Sequence, residues 1–206
     1  MVVDFIDRWL HVLFGITWIG MLYYFNFVQT EYFKEAEAEA KADAMKKLAP
    51  RALWWFRWGA MGTFLTGLYL LYSVGAHSSL MGKPIIWIGA AAGTFMFLNV
   101  WLIIWPNQQI VLGMKEGEGP VAAAKAGLAS RTNTLFSGPM LFGMIGSGHL
   151  YMPDISSTSV YAALGLIVLL ELNAIFGKMG PMTSVVGVIH SSLALVAVIW
   201  GMLAFL

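Results

Sequence analysis

"RWLHVLFGITWIGMLYYFNF", residues 8–27, is the stretch whose reading decides the fold. It is long and apolar enough to cross a bilayer, which takes about 20 residues of helix. Yet it opens with Arg8 and carries His11 one helical turn further in. A neutral imidazole at that depth must hydrogen-bond to a neighbouring helix or bind a ligand.

The rest of the chain repeats this apolar character. Of its 206 residues 59% are hydrophobic and only 11% charged, with a mean hydropathy of +0.73. A soluble domain of this size needs more charge to cover its surface. Apolar stretches fall at 5–28, 52–74, 84–105, 129–150, 158–177 and 183–206. The expectation is an all-α, polytopic membrane helical bundle of about six transmembrane helices, forming one domain over 1–206. The net charge of +1 gives no field that would recruit nucleic acid. The absence of cysteine excludes disulfides, iron–sulfur clusters, covalent c-type haem attachment and thiolate catalysis. The start, "MVVDFIDRWLH", lacks the basic n-region of a cleavable signal, so the first helix is expected to be permanent.

Between the first two spans, residues 31–51 read as a cytoplasmic helical loop, with Glu37–Lys41 and Asp43–Lys47 at ion-pair spacing and Pro50 as its end. Residues 106–128 read as an interfacial segment, with Pro106 and the glycines predicting a break. Basic residues gather in alternate loops: Lys34, Lys41, Lys46, Lys47 and Arg51 in the first, Lys115, Lys125 and Arg131 in the third, Lys178 in the fifth. Positive-inside bias therefore places those loops in the cytoplasm and both termini on the outer, periplasmic side.

Sorting polar residues by depth gives two layers. His11 lies roughly 9 Å below the outer end of its helix at 1.5 Å per residue, and His149 lies near the outer end of the fourth span. Two imidazoles at one level suit the iron of a six-coordinate haem, with Arg8 placed for a propionate and Trp9, Phe14 and Trp18 placed to wall the macrocycle. A helix–helix hydrogen bond is the plainer role for either histidine. The inner layer holds Arg57, Asn99, Asn133, Glu171, Asn173 and His190. Arg57 and Glu171 are expected to pair, either as a structural lock or as part of a pocket with His190.

Four blocks carry a family resemblance: "RWLHVLFGITWIGMLYYF" (8–25), "WWFRWGAMGTFLTGLYLL" (54–71), "GTFMFLNVWLIIWPNQQIVL" (93–112) and "RTNTLFSGPMLFGMIGSGHLY" (131–151). In that order the chain resembles the N-terminal membrane domain of the bacterial membrane-bound, cytochrome c-coupled urate oxidases. The resemblance implies a multi-pass protein of the bacterial inner membrane, with His11, His149, Asn99, Asn107 and Asn133 at matching motif positions. The chain departs from the family pattern at Gly59, where members carry an acidic residue, and in having no cysteine for a c-type haem. The first helix is also similar to that of small haem-binding membrane oxidoreductases of the protoporphyrinogen-oxidising type, which implies haem b.

Three functions follow as expectations. The first is a haem b redox subunit, with His11 and His149 on the iron, passing electrons to a c-type cytochrome or another subunit of a membrane complex. The second is an oxidoreductase of the urate-oxidising type, with Arg57 binding an anionic substrate and Glu171 or His190 as base. The third is a cofactor-free scaffold subunit in the lipid bilayer.

Overall fold

The computed structural model describes residues 2–206, the side chain of His77 excepted. Among the described residues the secondary structure is entirely helical. We number the helices α1 (Val2–Glu35), α2 (Ala38–Lys47), α3 (Ala49–Ser73), α4 (Pro84–Val111), α5 (Gly119–His149), α6 (Ser157–Phe176) and α7 (Val185–Phe205). Both α1 and α4 contain a π-helical stretch, Tyr24–Gln29 and Asn99–Ile104. Four helices, α1, α4, α6 and α7, are long and apolar enough to cross a membrane. The other two long helices, α3 and α5, are diluted by Arg51 and Arg57 and by a run of serine, threonine, asparagine and arginine.

The reason α5 tolerates those polar groups is its position. Every residue from Arg131 to Ser137 is buried, on all faces of the helix. A helix enclosed by α4, α1, α6 and α7 presents those side chains to its neighbours.

Close approach is set by glycine at two seams. On α3, Gly67, Gly62 and Gly59 face His11, Phe14 and Trp18 of antiparallel α1; a methyl at Gly62 would lie 2.5 Å from the Phe14 ring. The α1 partners are spaced i, i+3, i+7, one stripe of a helix face. On α4, Gly89 lies so near α5 that an added methyl would sit 2.9 Å from the Met140 carbonyl oxygen. Gly143 answers it from α5, where a methyl would run into the Gly89 backbone. Between these pairs, Phe64 stacks on Phe97 with ring centroids 4.0 Å apart, and Trp58 meets Trp101 edge-on, which ties α3 to α4.

The prolines act differently from the sequence expectation. Pro50 does not end the loop helix; it occupies the first turn of α3, where a missing N–H costs nothing. Pro106 does not break the third span either. It sits at the start of the last α-helical stretch of α4, directly after the π segment, and the helix runs on to Val111. The break falls at 112–118, where Gly113 and Gly117 have positive φ. Residues 119–128, expected as a separate interfacial segment, are instead the first turns of α5.

Replacing Gly143 with leucine should force α4 and α5 apart and destabilise the bundle by roughly 1–3 kcal/mol, as overpacking does. Gly20→Ala, where an added methyl meets nothing within 4 Å, should be neutral or slightly stabilising. A thermal melt of the two variants in detergent separates seam packing from helix propensity; equal melting points would contradict the seam.

Candidate functional site

Three polar groups of α5 fall on one stripe. Ser130, Asn133 and Ser137 are spaced i, i+3, i+7, and each is bonded to another helix. Asn26 Nδ2, within the π stretch of α1, donates to Ser130 Oγ at 2.8 Å. The Tyr23 hydroxyl and Ser137 Oγ are 2.8 Å apart. Ser137 spends its own proton on the Thr134 carbonyl, so the tyrosine donates. Asn133 Nδ2 donates to the Met96 carbonyl at 2.9 Å, and Asn133 Oδ1 accepts from Asn99 Nδ2 at 3.0 Å. The second proton of the Asn99 amide goes to Glu171 Oε2 of α6, also at 3.0 Å.

Asn99 is thus the junction between α4, α5 and α6. It opens the π stretch of α4, and π segments collect at functional positions because they reorient side chains without ending the helix. Its Oδ1 is buried with no hydrogen-bond partner, and Glu171 is only 6% exposed. A carboxyl and an open acceptor therefore share the interior of the bundle.

The expected Arg57–Glu171 ion pair does not form. The Arg57 guanidinium carbon lies 3.7 Å from the centre of the Trp105 ring, a cation–π stack. Trp105 is six residues beyond Asn99 along α4, roughly 9 Å of helix rise, so Arg57 and Glu171 occupy different levels. Hydropathy boundaries placed them together because they could not fix where each helix begins. Arg57 Nη1 is buried without a partner, as is Nη1 of Arg131. Arg131, expected at the edge of a loop, is 7% exposed within α5. His190, expected in the same layer, lies on an exposed face of α7 and donates from Nδ1 to the Val186 carbonyl of its own helix at 2.8 Å.

The outer level is built on a different bond. His11 Nδ1 lies 3.0 Å from Thr66 Oγ1 of α3. The Thr66 hydroxyl donates its single proton back to the Gly62 carbonyl at 2.7 Å, so it accepts from His11. That fixes the tautomer: Nδ1 carries the hydrogen and Nε2 holds the lone pair. Gly67 makes room for the ring, since a methyl there would lie 3.2 Å from Cε1.

Depth can now be counted from a contact. Tyr23 and Ser137 touch, and both His11 and His149 lie twelve residues further out, about 18 Å at 1.5 Å per residue. By that count the two histidines lie equally far along their helices from the contact, but their settings differ. The His11 ring is turned to α3, whereas His149 is exposed at the end of α5, beside a shallow hollow of about 350 Å³ walled by Leu141, Phe142 and Ile145. Arg8 is exposed one turn above His11. Trp18 is 2% exposed, with its backbone close to Gly59, and the Phe14 ring is seated on Gly62. Of the three aromatics expected to wall a macrocycle, the α1–α3 seam takes up the Phe14 ring, Trp18 is buried and Trp9 is 56% exposed. Among the described residues there is no group of three or more histidine, aspartate or glutamate side chains that could hold a metal ion by themselves. The side chain of His77 lies outside the described residues.

Tyr23, Asn26, Ser130 and Ser137 were not singled out from the sequence. The signal was present as the 130–133–137 spacing, but residues 129–137 read as the opening of a span, where polar side chains ordinarily meet water.

Glu171→Gln keeps an oxygen that accepts from Asn99, and Glu171→Ala does not. The alanine variant should lose about 1–3 kcal/mol, the cost of stranding a buried donor, and the glutamine variant far less. Equal losses in detergent unfolding would mean that the Asn99 bond contributes nothing.

No curated protein and no solved structure matches the chain. The family model described as urate oxidase N-terminal matches residues 72–200, from the end of α3 into α7. The match takes in Asn99, Asn133, His149, Glu171 and His190, and with them α6 and α7; His11 and Arg57 lie upstream of it. More than half of the chain is covered, and the protein belongs to the urate oxidase N-terminal family.

Proposed function

We propose that this chain is a haem b-binding redox subunit that crosses the bacterial inner membrane six times, with both termini on the periplasmic side. The single observation that carries the proposal is the hydrogen bond between His11 Nδ1 and Thr66 Oγ1. Histidines that ligate metals donate their second nitrogen to a neighbour, which orients the ring and makes the free nitrogen more basic. His11 fits that arrangement at one nitrogen: Nδ1 lies 3.0 Å from the Thr66 hydroxyl, whose own proton has backbone carbonyls to go to. The common level of His11 and His149 supports the same function, as does the exposed Arg8 guanidinium one turn away, which suits a propionate.

The donor set fits a haem in part. Two imidazoles and, one turn away, a guanidinium are present towards the same end of the bundle, while the Phe14 ring is committed to α3. When bound, haem supplies one-electron transfer. The chain's own part is to hold the His11 ring through Thr66, to keep the proton on Nδ1, and to exclude water with the α1–α3 seam. Lysines and arginines in the 31–51, 112–118 and 177–184 connections favour the cytoplasm for that end of the bundle. The level of His11 and His149 then lies near the opposite face, within reach of a c-type cytochrome or another subunit of a membrane complex.

A second function is favoured by a separate observation. The interior carboxyl of Glu171 and the unpartnered Nη1 atoms of Arg57 and Arg131 offer donors and a base to an oxygen-rich anion, as a urate-oxidising enzyme of this family would need. A scaffold role without any cofactor requires neither feature.

The dithionite-reduced spectrum of the purified protein should show the α-band of a b-type haem. His11→Ala and His149→Ala should each abolish its bis-imidazole character. Thr66→Val, which removes only the acceptor for Nδ1–H, should weaken haem retention by about 10–100-fold, the usual effect of losing such a partner. A colourless protein after haem supplementation would overturn the proposal. Urate consumption by membranes supplied with cytochrome c, abolished in Glu171→Gln, would instead establish the second function.

A further inference from the structure

An open trough of about 530 Å³ runs between α5, α6 and α7, within the size range of small-molecule sites, roughly 300–1,000 Å³. Its walls include Leu135, Leu166, Leu170, Leu195 and Val198, and its rim is Lys178, in the connection between α6 and α7. Lys178 is the only lysine or arginine after Arg131 in the whole sequence. Its backbone is held in place: Asn173 Nδ2 donates to the Lys178 carbonyl at 3.1 Å, and the Lys178 N–H donates to Asn173 Oδ1 at 3.3 Å.

We infer that this trough holds one anionic phospholipid of the surrounding bilayer, with its phosphate on Lys178 and an acyl chain against α6 and α7. The inference rests on the membrane-spanning part of the proposed function and not on haem. Three features select this occupant. The trough runs along α6 and α7, both long and apolar enough to cross a membrane. Its cation stands at the end of α6, at headgroup level, while the wall residues lie deeper along both helices: Leu166 and Leu170 on α6, Leu195 and Val198 on α7. Among the described residues, the carboxyl nearest in sequence, Glu171, is turned inward to Asn99, so nothing from α6 neutralises the rim.

The test is native mass spectrometry of the intact chain in detergent, titrated with phosphatidylglycerol or phosphatidylcholine of identical acyl chains. One molecule of phosphatidylglycerol should be retained in preference to phosphatidylcholine. Lys178→Ala should weaken that retention about fivefold, the equivalent of one cation near a membrane surface, and Lys115→Ala should leave it unchanged. Val198→Trp, which fills the trough, should reduce retention of both lipids. Equal retention of the two lipids, or equal loss in Lys115→Ala, overturns the inference. So does displacement of the lipid by inorganic phosphate alone, or a change of oligomeric mass in Val198→Trp, which would make the trough a contact between copies. Release of the protein from membranes by carbonate washing would count against the six-span proposal itself; loss of headgroup discrimination in a retained protein counts only against the trough.

Discussion

The hydroxyl of Tyr23 on Ser137 fixes how the two halves of this molecule meet. Helices α1 and α3 form a glycine-seamed hairpin, and α4 to α7 form a second group around α5. With Asn26 on Ser130 one further π turn along, the Tyr23 bond sets the register of the first group on the second. In lipid no water replaces a missing partner, so polar groups inside a spanning bundle must find each other across helices. The α5 stripe is where they do so. The shared depth of His11 and His149 follows from that register, as does the level of the Asn99–Asn133–Glu171 junction.

Much of the fold was legible in the sequence, for a physical reason: hydropathy reports length and lipid exposure directly. The six apolar stretches correspond to the six long helices, and the polar character of Asn99, Asn133 and Glu171 marked them as interior. What the sequence left open was rotation and register. Arg57 and Glu171 were expected to meet because both lie a turn or two from one end of their spans. A displacement of about 9 Å along α4, six residues of helix rise, sends Arg57 to Trp105 instead. His190 met a similar fate: depth was estimated from the helix end, but which face it occupied was not. Pro106 misled because proline reads as a stop, whereas at the first turn of a new hydrogen-bonding register its missing N–H is tolerated.

The site has a division of labour between its levels. At the outer level His11 is bonded to Thr66 within the α1–α3 hairpin, and His149 stands exposed at the end of α5. Further in, Asn99, Asn133 and Glu171 form one junction, and the spare Nη1 groups of Arg57 and Arg131 lie apart from it in the interior. The Gly59 departure lies on the seam between α1 and α3 rather than in either level. There, any side chain would press on the Trp18 backbone, so glycine serves packing at that position.

The register of the two halves is tested most directly by a double-mutant cycle on Tyr23→Phe and Ser137→Ala, followed by unfolding in detergent. Phenylalanine keeps the stack on Phe27, whose ring centroid lies 4.9 Å away, and removes only the hydroxyl. A direct hydrogen bond predicts a coupling of about 1 kcal/mol. Losses that add to within roughly 0.3–0.5 kcal/mol, as for residues that do not touch, would contradict the register and with it the common level of the histidines.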